Sequence, residues 1–228
     1  VEHSEVLSLA ALLPDLSPED LRRRLEAAAP PVEVTDHLVA ALHAHYVELC
    51  RWNLGLSLVG PGTAAEVVER HYAESLHGVP LIPASARTLV DVGSGAGFPG
   101  FVLAAALPHL EVTLVEPRER RWSFLMAACR RAALPCHCLD ARVDSPLPPG
   151  LPDRIDVVTT RALKLPPEAI EALGARFAGG ARLLIWAGDA EPEVPSGFTV
   201  VDSRPVPHSL RRRVVAFAGP AGFGTECR

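Results

Sequence analysis

Residues 88–100 read T-L-V-D-V-G-S-G-A-G-F-P-G, a short apolar run holding one acid, Asp91, and then glycines at 93, 95, 97 and 100. Glycines let backbone pass close to a ligand, and the free N–H groups at a helix start favour negative charge. An apolar stretch at 101–107 follows at once, and Pro99 has the fixed φ that suits a first helical turn, so strand, tight turn and helix are predicted in succession. Gly95-x-Gly97-x-x-Gly100 satisfies the dinucleotide fingerprint, and Glu116 stands about 20 residues on, where a carboxylate would accept from ribose hydroxyls. The chemistry on offer is recognition of a nucleotide-bearing small molecule. A glycine-rich turn that binds nothing is the plainer alternative.

Positioning such a loop requires a sheet. From Thr88 the pattern alternates strands and helices, as expected of an α/β, mostly parallel sheet of about seven strands with helices on both faces. Strands are predicted at 111–115, ending in Glu116, and at 136–139, 155–159, 182–186, 198–202 and 213–217. Helices are predicted at 118–133, burying Trp122, Leu125, Met126 and Cys129, and at 166–177. Ligands of open α/β sheets sit outside the carboxyl ends of the strands, which collects Asp91–Gly97, Glu116, Asp140–Asp144, Arg161 and Trp186–Gly188 on one rim.

Residues 1–80 read as an N-terminal helical extension and 81–228 as the domain carrying the glycine loop. Ser17-Pro18-Glu19-Asp20 has the form of a helix N-cap, and Thr35-Asp36 opens a second helix with Leu38, Leu42, His45 or Tyr46, Leu49 and Trp52 at helical spacing. Thr63-x-x-Glu66 reads as a further capping box, leading through Val67, Val68, His71 and Leu76. His37, His43 and His45, with no acid or cysteine cluster beside them, are expected at a surface or interface.

Composition narrows the classes. The 228 residues are 48% hydrophobic and 21% charged, with a formal net charge of −5. That balance suits an ordinary globular protein and argues against attachment to nucleic acid by bulk electrostatics alone, though it leaves room for a local basic face. No apolar run is long enough to span a bilayer and the N-terminus lacks a secretion-signal pattern, so no membrane partner and a cytoplasmic location are expected. The cysteines (Cys50, Cys129, Cys136, Cys138 and Cys227) are odd in number and irregularly placed, which makes a disulfide framework unexpected. Cys136-His137-Cys138 lacks a second pair at zinc-like spacing; no metal is expected, and the two thiols share a strand face as small hydrophobes.

The phrasing D-V-G-S-G-A-G resembles the nucleotide-binding loop of class I S-adenosylmethionine (SAM)-dependent methyltransferases, which have a Rossmann-like fold. More of the chain, roughly 35–217, is similar to the RsmG (GidB) family of ribosomal RNA methyltransferases. Arg51-Trp52-Asn53-Leu54 followed by Glu69-Arg70-His71-x-x-Glu74-Ser75 resembles that family's W-N and R-H-x-x-D-S segments. The glycine loop shares its F-P-G ending, Arg120-Arg121-x-x-Phe124-Leu125 resembles its K-R-x-x-F-L, and Thr160-Arg161-Ala162 its S/A-R-A. The chain departs from the family at Leu56–Val59, where N-L-T is usual. It also has Glu74 for an aspartate, and Trp186-Ala187-Gly188 in place of Lys-Gly.

The resemblance implies methylation of guanine N7 in 16S rRNA of the small ribosomal subunit, by a monomer using SAM. It further implies that Gly93 and Phe98 contact the cofactor, with Asp91, Gly95 and Gly97 shaping the loop. Glu116 would hold the ribose, Val143 and Asp144 would lie beside the adenine, and Arg161 would be a cofactor-side and catalytic arginine. His71 is the second catalytic candidate, closing over the cofactor, with a buried packing histidine as the alternative. For Arg161 the alternative is a structural pair with Asp156 or Asp91. Arg118–Arg121, Arg130–Arg131 and Arg211–Arg213 are cationic sets that either contact RNA or are solvated faces. Rival readings are a methyltransferase for a small molecule or protein, a SAM-binding relative without activity, and an NAD dehydrogenase.

Overall fold

The structure is a computed structural model that describes residues 12–188, 190, 192–207, 209 and 211–219. Cys227 lies outside the described residues.

The chain opens with two helices whose caps follow from sequence. Helix α1 (Pro18–Ala27) begins at a capping box in which the Ser17 hydroxyl accepts from the Asp20 amide, and it buries Leu21 and Leu25. Helix α2 (Asp36–Leu56) is capped by Thr35, whose hydroxyl accepts from the Leu38 amide, and ends at Ser57 in a left-handed conformation. The Thr63 capping box does not form. A single turn, Pro61–Ala64, starts after Gly60 instead, because Pro61 takes the first helical position upstream of Thr63. The Thr63 hydroxyl then turns to the Gly60 carbonyl and to His71 Nε2. A π-helical segment, Val68–Ala73, continues into the short turn Glu74–Leu76.

Seven strands follow: β1 (Thr88–Val92), β2 (Glu111–Val115), β3 (His137–Leu139), β4 (Ile155–Arg161), β5 (Phe177–Ala187), β6 (Thr199–Pro205) and β7 (Arg213–Ala218). Their order in one sheet is β3-β2-β1-β4-β5-β7-β6. The first five run parallel, and β7 is antiparallel to both β5 and β6. Helices α3 (Gly100–Ala106), α4 (Glu119–Ala132) and α5 (Pro167–Gly174) make the crossovers β1–β2, β2–β3 and β4–β5.

Strand side chains alternate between two apolar layers, as period 2 requires. Leu89 and Leu114 point into one layer with Phe101, Leu103, Phe124 and Leu125; Val90, Val115 and Val158 point into the other with Ala169, Leu173 and Phe177. The first layer also contains Leu42, Leu49, Tyr72 and Leu76, so the N-terminal helices share a core with the sheet.

Several boundaries and faces differ from the sequence expectation. The helix predicted over 166–177 stops at Gly174, because Phe177 already pairs with Ile155 and β5 passes through Gly179-Gly180 with a register shift. On α4, Phe124, Leu125, Ala128 and Cys129 are buried, while Met126 is 46% exposed. Cys138 faces Cys129 with its sulfur 3.8 Å away, and Cys136 packs on the same layer, as two small hydrophobes on one strand face should.

Candidate functional site

The glycine loop leaves β1 and is fastened to the end of β2. The Gly93 and Ser94 amides both donate to the Val115 carbonyl, at 2.9 and 3.0 Å, and the Ser94 hydroxyl donates back to the Asp91 carbonyl. Gly95 has φ +54°, in the left-handed region, and its amide donates to Glu116 Oε2 at 2.9 Å. The other oxygen of Glu116 accepts from the Arg118 amide at 3.0 Å. Both oxygens of this buried carboxylate therefore face backbone donors at the mouth of the sheet, each with a lone pair to spare. A Cβ on Gly95 would make only ordinary contacts, with Arg121 Nη1 and the Gly93 carbonyl at 3.7 Å and Glu116 Oε2 at 4.0 Å. At Gly100 the reason for glycine is different: a Cβ there would stand 2.5 Å from Asp91 Cβ.

Asp91 sits beneath the loop, 1% exposed, and accepts from the Thr159 hydroxyl across β4 at 2.6 Å. Burial pushes its carboxyl up to about 6, with the Thr159 hydrogen bond opposing. Its Oδ2 is buried without a hydrogen-bond partner. This acid shapes the loop from inside and does not reach the rim.

Phe98 packs among aromatic side chains of the N-terminal helical segments. Its ring stacks on His71 at 5.0 Å and meets the edges of Tyr72 and His45 at 5.0 and 5.3 Å. His45 belongs to this cluster and is not at a surface: it is fully buried, with Nδ1 2.6 Å from the Tyr72 hydroxyl and Nε2 2.9 Å from the Ala96 carbonyl. The signal was in its spacing, since His45 falls between Leu42 and Leu49 on the apolar stripe of α2. Burial lowers the His45 pKa to about 4 and, with Arg161, Arg70 and Arg212 nearby, that of His71 to about 3. His71 is therefore neutral near pH 7, hydrogen-bonded to Thr63 Oγ1 at 3.0 Å.

Arg161, the last residue of β4, pairs with neither Asp156 nor Asp91. Asp156 is taken by the Arg87 and Thr88 amides at 2.8 and 3.1 Å. Arg161 Nη2 instead donates to the Arg70 carbonyl at 2.7 Å and to Glu74 Oε2 at 3.2 Å. The same Glu74 carboxylate is bonded to Arg212 Nη1 and lies 3.5 Å from Arg70 Nε, while its backbone carbonyl accepts from Trp186 Nε1 at 2.9 Å. Arg212 is thus drawn inward from the expected solvated set, onto an acid that the R-H-x-x-E-S segment carried without revealing its role. Burial raises the Glu74 pKa, opposed by Arg161, Arg212 and Arg70 in that order.

The expected residues fall into separate groups. Gly93, Gly95 and Glu116 meet at the rim, Asp91 lies beneath them, Gly97 closes the turn with its amide on the Ser94 carbonyl, and Phe98 with His71 forms an aromatic wall behind it. Arg161 stands with Glu74 on the β4 side, joined to the loop through Leu163, whose Cδ2 would be 2.6 Å from a Cβ on Gly93. Beyond β3, Val143 is buried in the second apolar layer, and Asp144 is exposed with its carboxylate accepting from the Ser145 amide at 2.9 Å. Among the described residues, no group of three or more His, Cys, Asp or Glu could hold a metal ion. No described helix is long and apolar enough to cross a membrane.

Comparison with known proteins gives a consistent answer. The model of the GidB family, described as rRNA small subunit methyltransferase G, matches residues 39–191. Curated relatives carry the name Ribosomal RNA small subunit methyltransferase G. That of Paramagnetospirillum magneticum is 42% identical over 115 residues, 50% of this chain and 54% of the relative. That of Methylobacterium nodulans is 36% identical over 159 residues, 68% and 72% of the two chains. That of an Anaeromyxobacter species is 36% identical over 191 residues, 80% and 86%. The chain thus spans about half the length of the first of these relatives and more of the others. Among solved structures, a mutant of MtNAS superposes with a TM-score of 0.53 over 89% of this chain and 86% of that one at 14% identity, a likeness of fold. The seven-stranded sheet is that of the Rossmann-like class I methyltransferases, and the chain belongs to the GidB family of rRNA small subunit methyltransferase G.

Proposed function

We propose that the chain transfers a methyl group from SAM to N7 of a guanine in 16S rRNA of the small ribosomal subunit, in the cytoplasm. The observation that carries this reading is the Gly95–Glu116 unit, a glycine turn hydrogen-bonded to a buried carboxylate at the ends of β1 and β2. The donor set suits a nucleoside cofactor: Glu116 has lone pairs for ribose hydroxyls, and the left-handed glycines 93, 95 and 97 hold a tight turn beside it. Asp144, exposed beyond β3, would accept from an exocyclic amine of adenine.

When bound, SAM supplies an electrophilic methyl group on a sulfonium. The residues of the protein need only align it with a nucleophile that already has its lone pair, because guanine N7 carries no proton. With its pKa lowered to about 3, His71 is a poor proton acceptor, and the reaction needs none. Methylation makes the guanine cationic, so an aromatic face would favour the product over the substrate.

The test is methyl transfer from labelled SAM to small subunits from a host lacking this modification, with mapping of the labelled base. Label on guanine N7 is the expected result. SAM binding without label on rRNA would overturn the reading in favour of another acceptor or a silent relative.

A further inference from the structure

We propose that Cys129 and Cys138 are a site of reversible oxidation, closing to a disulfide between α4 and β3 when a peroxide reaches them. The pair has no part in the methyl transfer.

The two sulfurs face each other at 3.8 Å, and both cysteines are free thiols. Cys129 lies in the last turn of α4 and is 5% exposed, while Cys138 is the middle residue of β3 and half-buried. Local structure holds them opposed. Helix α4 stops at Ala133, in a left-handed conformation, and the Leu134 amide turns back to the Cys129 carbonyl at 3.0 Å before β3 begins at His137. Trp122 Nε1 donates to the Cys138 carbonyl at 3.0 Å, a second tie between the helix and the strand. A disulfide brings two sulfurs to about 2.05 Å. The remaining approach is open to β3, because it is the edge strand and pairs with β2 alone.

The two thiols are also unequal. Hydrogen bonding from Cys129 lowers the Cys138 pKa, whereas the thiols of Cys136 and Cys138, together with burial, push that of Cys129 up. Thiolate is the form that attacks a peroxide, so Cys138, the more accessible of the two, is oxidised first. Its sulfur displaces hydroxide from the O–O bond and becomes a sulfenic acid. The Cys129 thiol then attacks that sulfur and expels its hydroxyl, which leaves as water with the Cys129 proton. Two thiols and one hydrogen peroxide thus give one disulfide and two waters, the sulfurs being oxidised and the peroxide oxygens reduced. A sulfenic acid with a thiol beside it stops at the disulfide, and one without goes on to sulfinic acid.

The full chain is treated with hydrogen peroxide at neutral pH, its remaining thiols are alkylated, and tryptic peptides are mapped by mass spectrometry. Trypsin cuts after Arg130 and Arg131, which separates Cys129 from Cys138 unless a disulfide joins them. The expected product is a peptide pair linked from Cys129 to Cys138, lighter by two hydrogens than its separate parts and released by dithiothreitol. Fragmentation of the linked pair distinguishes Cys138 from Cys136, which shares its peptide. In Cys129→Ser the linked pair should vanish, and Cys138 should yield about tenfold more sulfinic acid than in wild type. Cys136→Ser should retain the link. A link from Cys129 to Cys136, or Cys129 and Cys138 both still reduced once Cys50 has been oxidised, would overturn the proposal. The wild-type map decides the matter even where a serine variant fails to fold.

Discussion

His45 Nε2, on the second helix, lies 2.9 Å from the carbonyl of Ala96 in the glycine loop. An N-terminal helix is thereby bonded to the turn proposed to hold the cofactor, through a ring packed on Phe98, Phe101, Phe124 and Tyr72. A Cβ on Gly97 would stand 3.0 Å from the same nitrogen, so loop and histidine are fitted to each other.

Replacing His45 by alanine should remove both hydrogen bonds and leave a cavity among four aromatic rings. Destabilisation of about 3 kcal/mol is expected, in the range for large buried side chains. Denaturant unfolding measures it, and SAM affinity should fall with it because the loop loses its rear support.

Acid should loosen the same cluster. His45 has an ordinary pKa of 6.5 and a folded value of about 4, so the unfolded chain takes up a proton between those values and the folded chain does not. Stability from this residue is full above pH 6.5 and falls by about 3 kcal/mol as the pH drops through 4. His71 acts in the same direction. Asp91 opposes them, because its folded pKa of about 6 exceeds the ordinary 3.8 and protonation in that window favours the fold. Asp91→Asn removes the opposition, so the variant should lose stability more steeply than wild type between pH 6.5 and 4 in urea titrations.

Gly100→Ala should be more harmful than Gly95→Ala to folding. The first places a Cβ 2.5 Å from the buried Asp91 Cβ and 2.6 Å from Leu114 Cδ2, an overpacking that costs about 1–3 kcal/mol. The second makes only ordinary contacts, at 3.7 Å or more, and bears the left-handed backbone penalty, about 1–2 kcal/mol. In binding assays the order should reverse, since only the Cβ on Gly95 is set beside the rim carboxylate Glu116.

Glu116→Gln keeps the shape of the rim and removes its charge. Charge-assisted hydrogen bonds are worth about 1.5–3 kcal/mol, so SAM affinity should weaken by roughly 10- to 100-fold with a small change in thermal midpoint. Equal affinity for the variant would separate Glu116 from the ribose.

Glu74→Gln should be destabilising by about 3–5 kcal/mol, the range for breaking a buried charge pair, because Arg161 and Arg212 lose their counter-ion while Arg70 keeps Glu66. Added sulfate or phosphate should restore part of the loss in thermal unfolding.

The strand–glycine loop–helix unit and the acid at the end of β2 were legible in the sequence, because both depend on local rules. Period-2 apolar runs specify strands, glycine spacing specifies the turn, and a carboxylate after a strand falls on the rim by topology. The caps at Ser17 and Thr35 were legible for the same reason, whereas Thr63 failed because Pro61 competed for the helix start within three residues. Pairings across the fold were not readable. Arg161 and Glu74 are 87 residues apart, and Arg212 and Glu74 are 138 apart. Charge pattern alone could not tell an inward arginine from a solvated one, or the buried His45 from the exposed His37 and half-buried His43 on the same helix. Those partners were selected by where the sheet order brings β4 and β7 against the π-helical segment, since burial penalises any charge that finds no partner there.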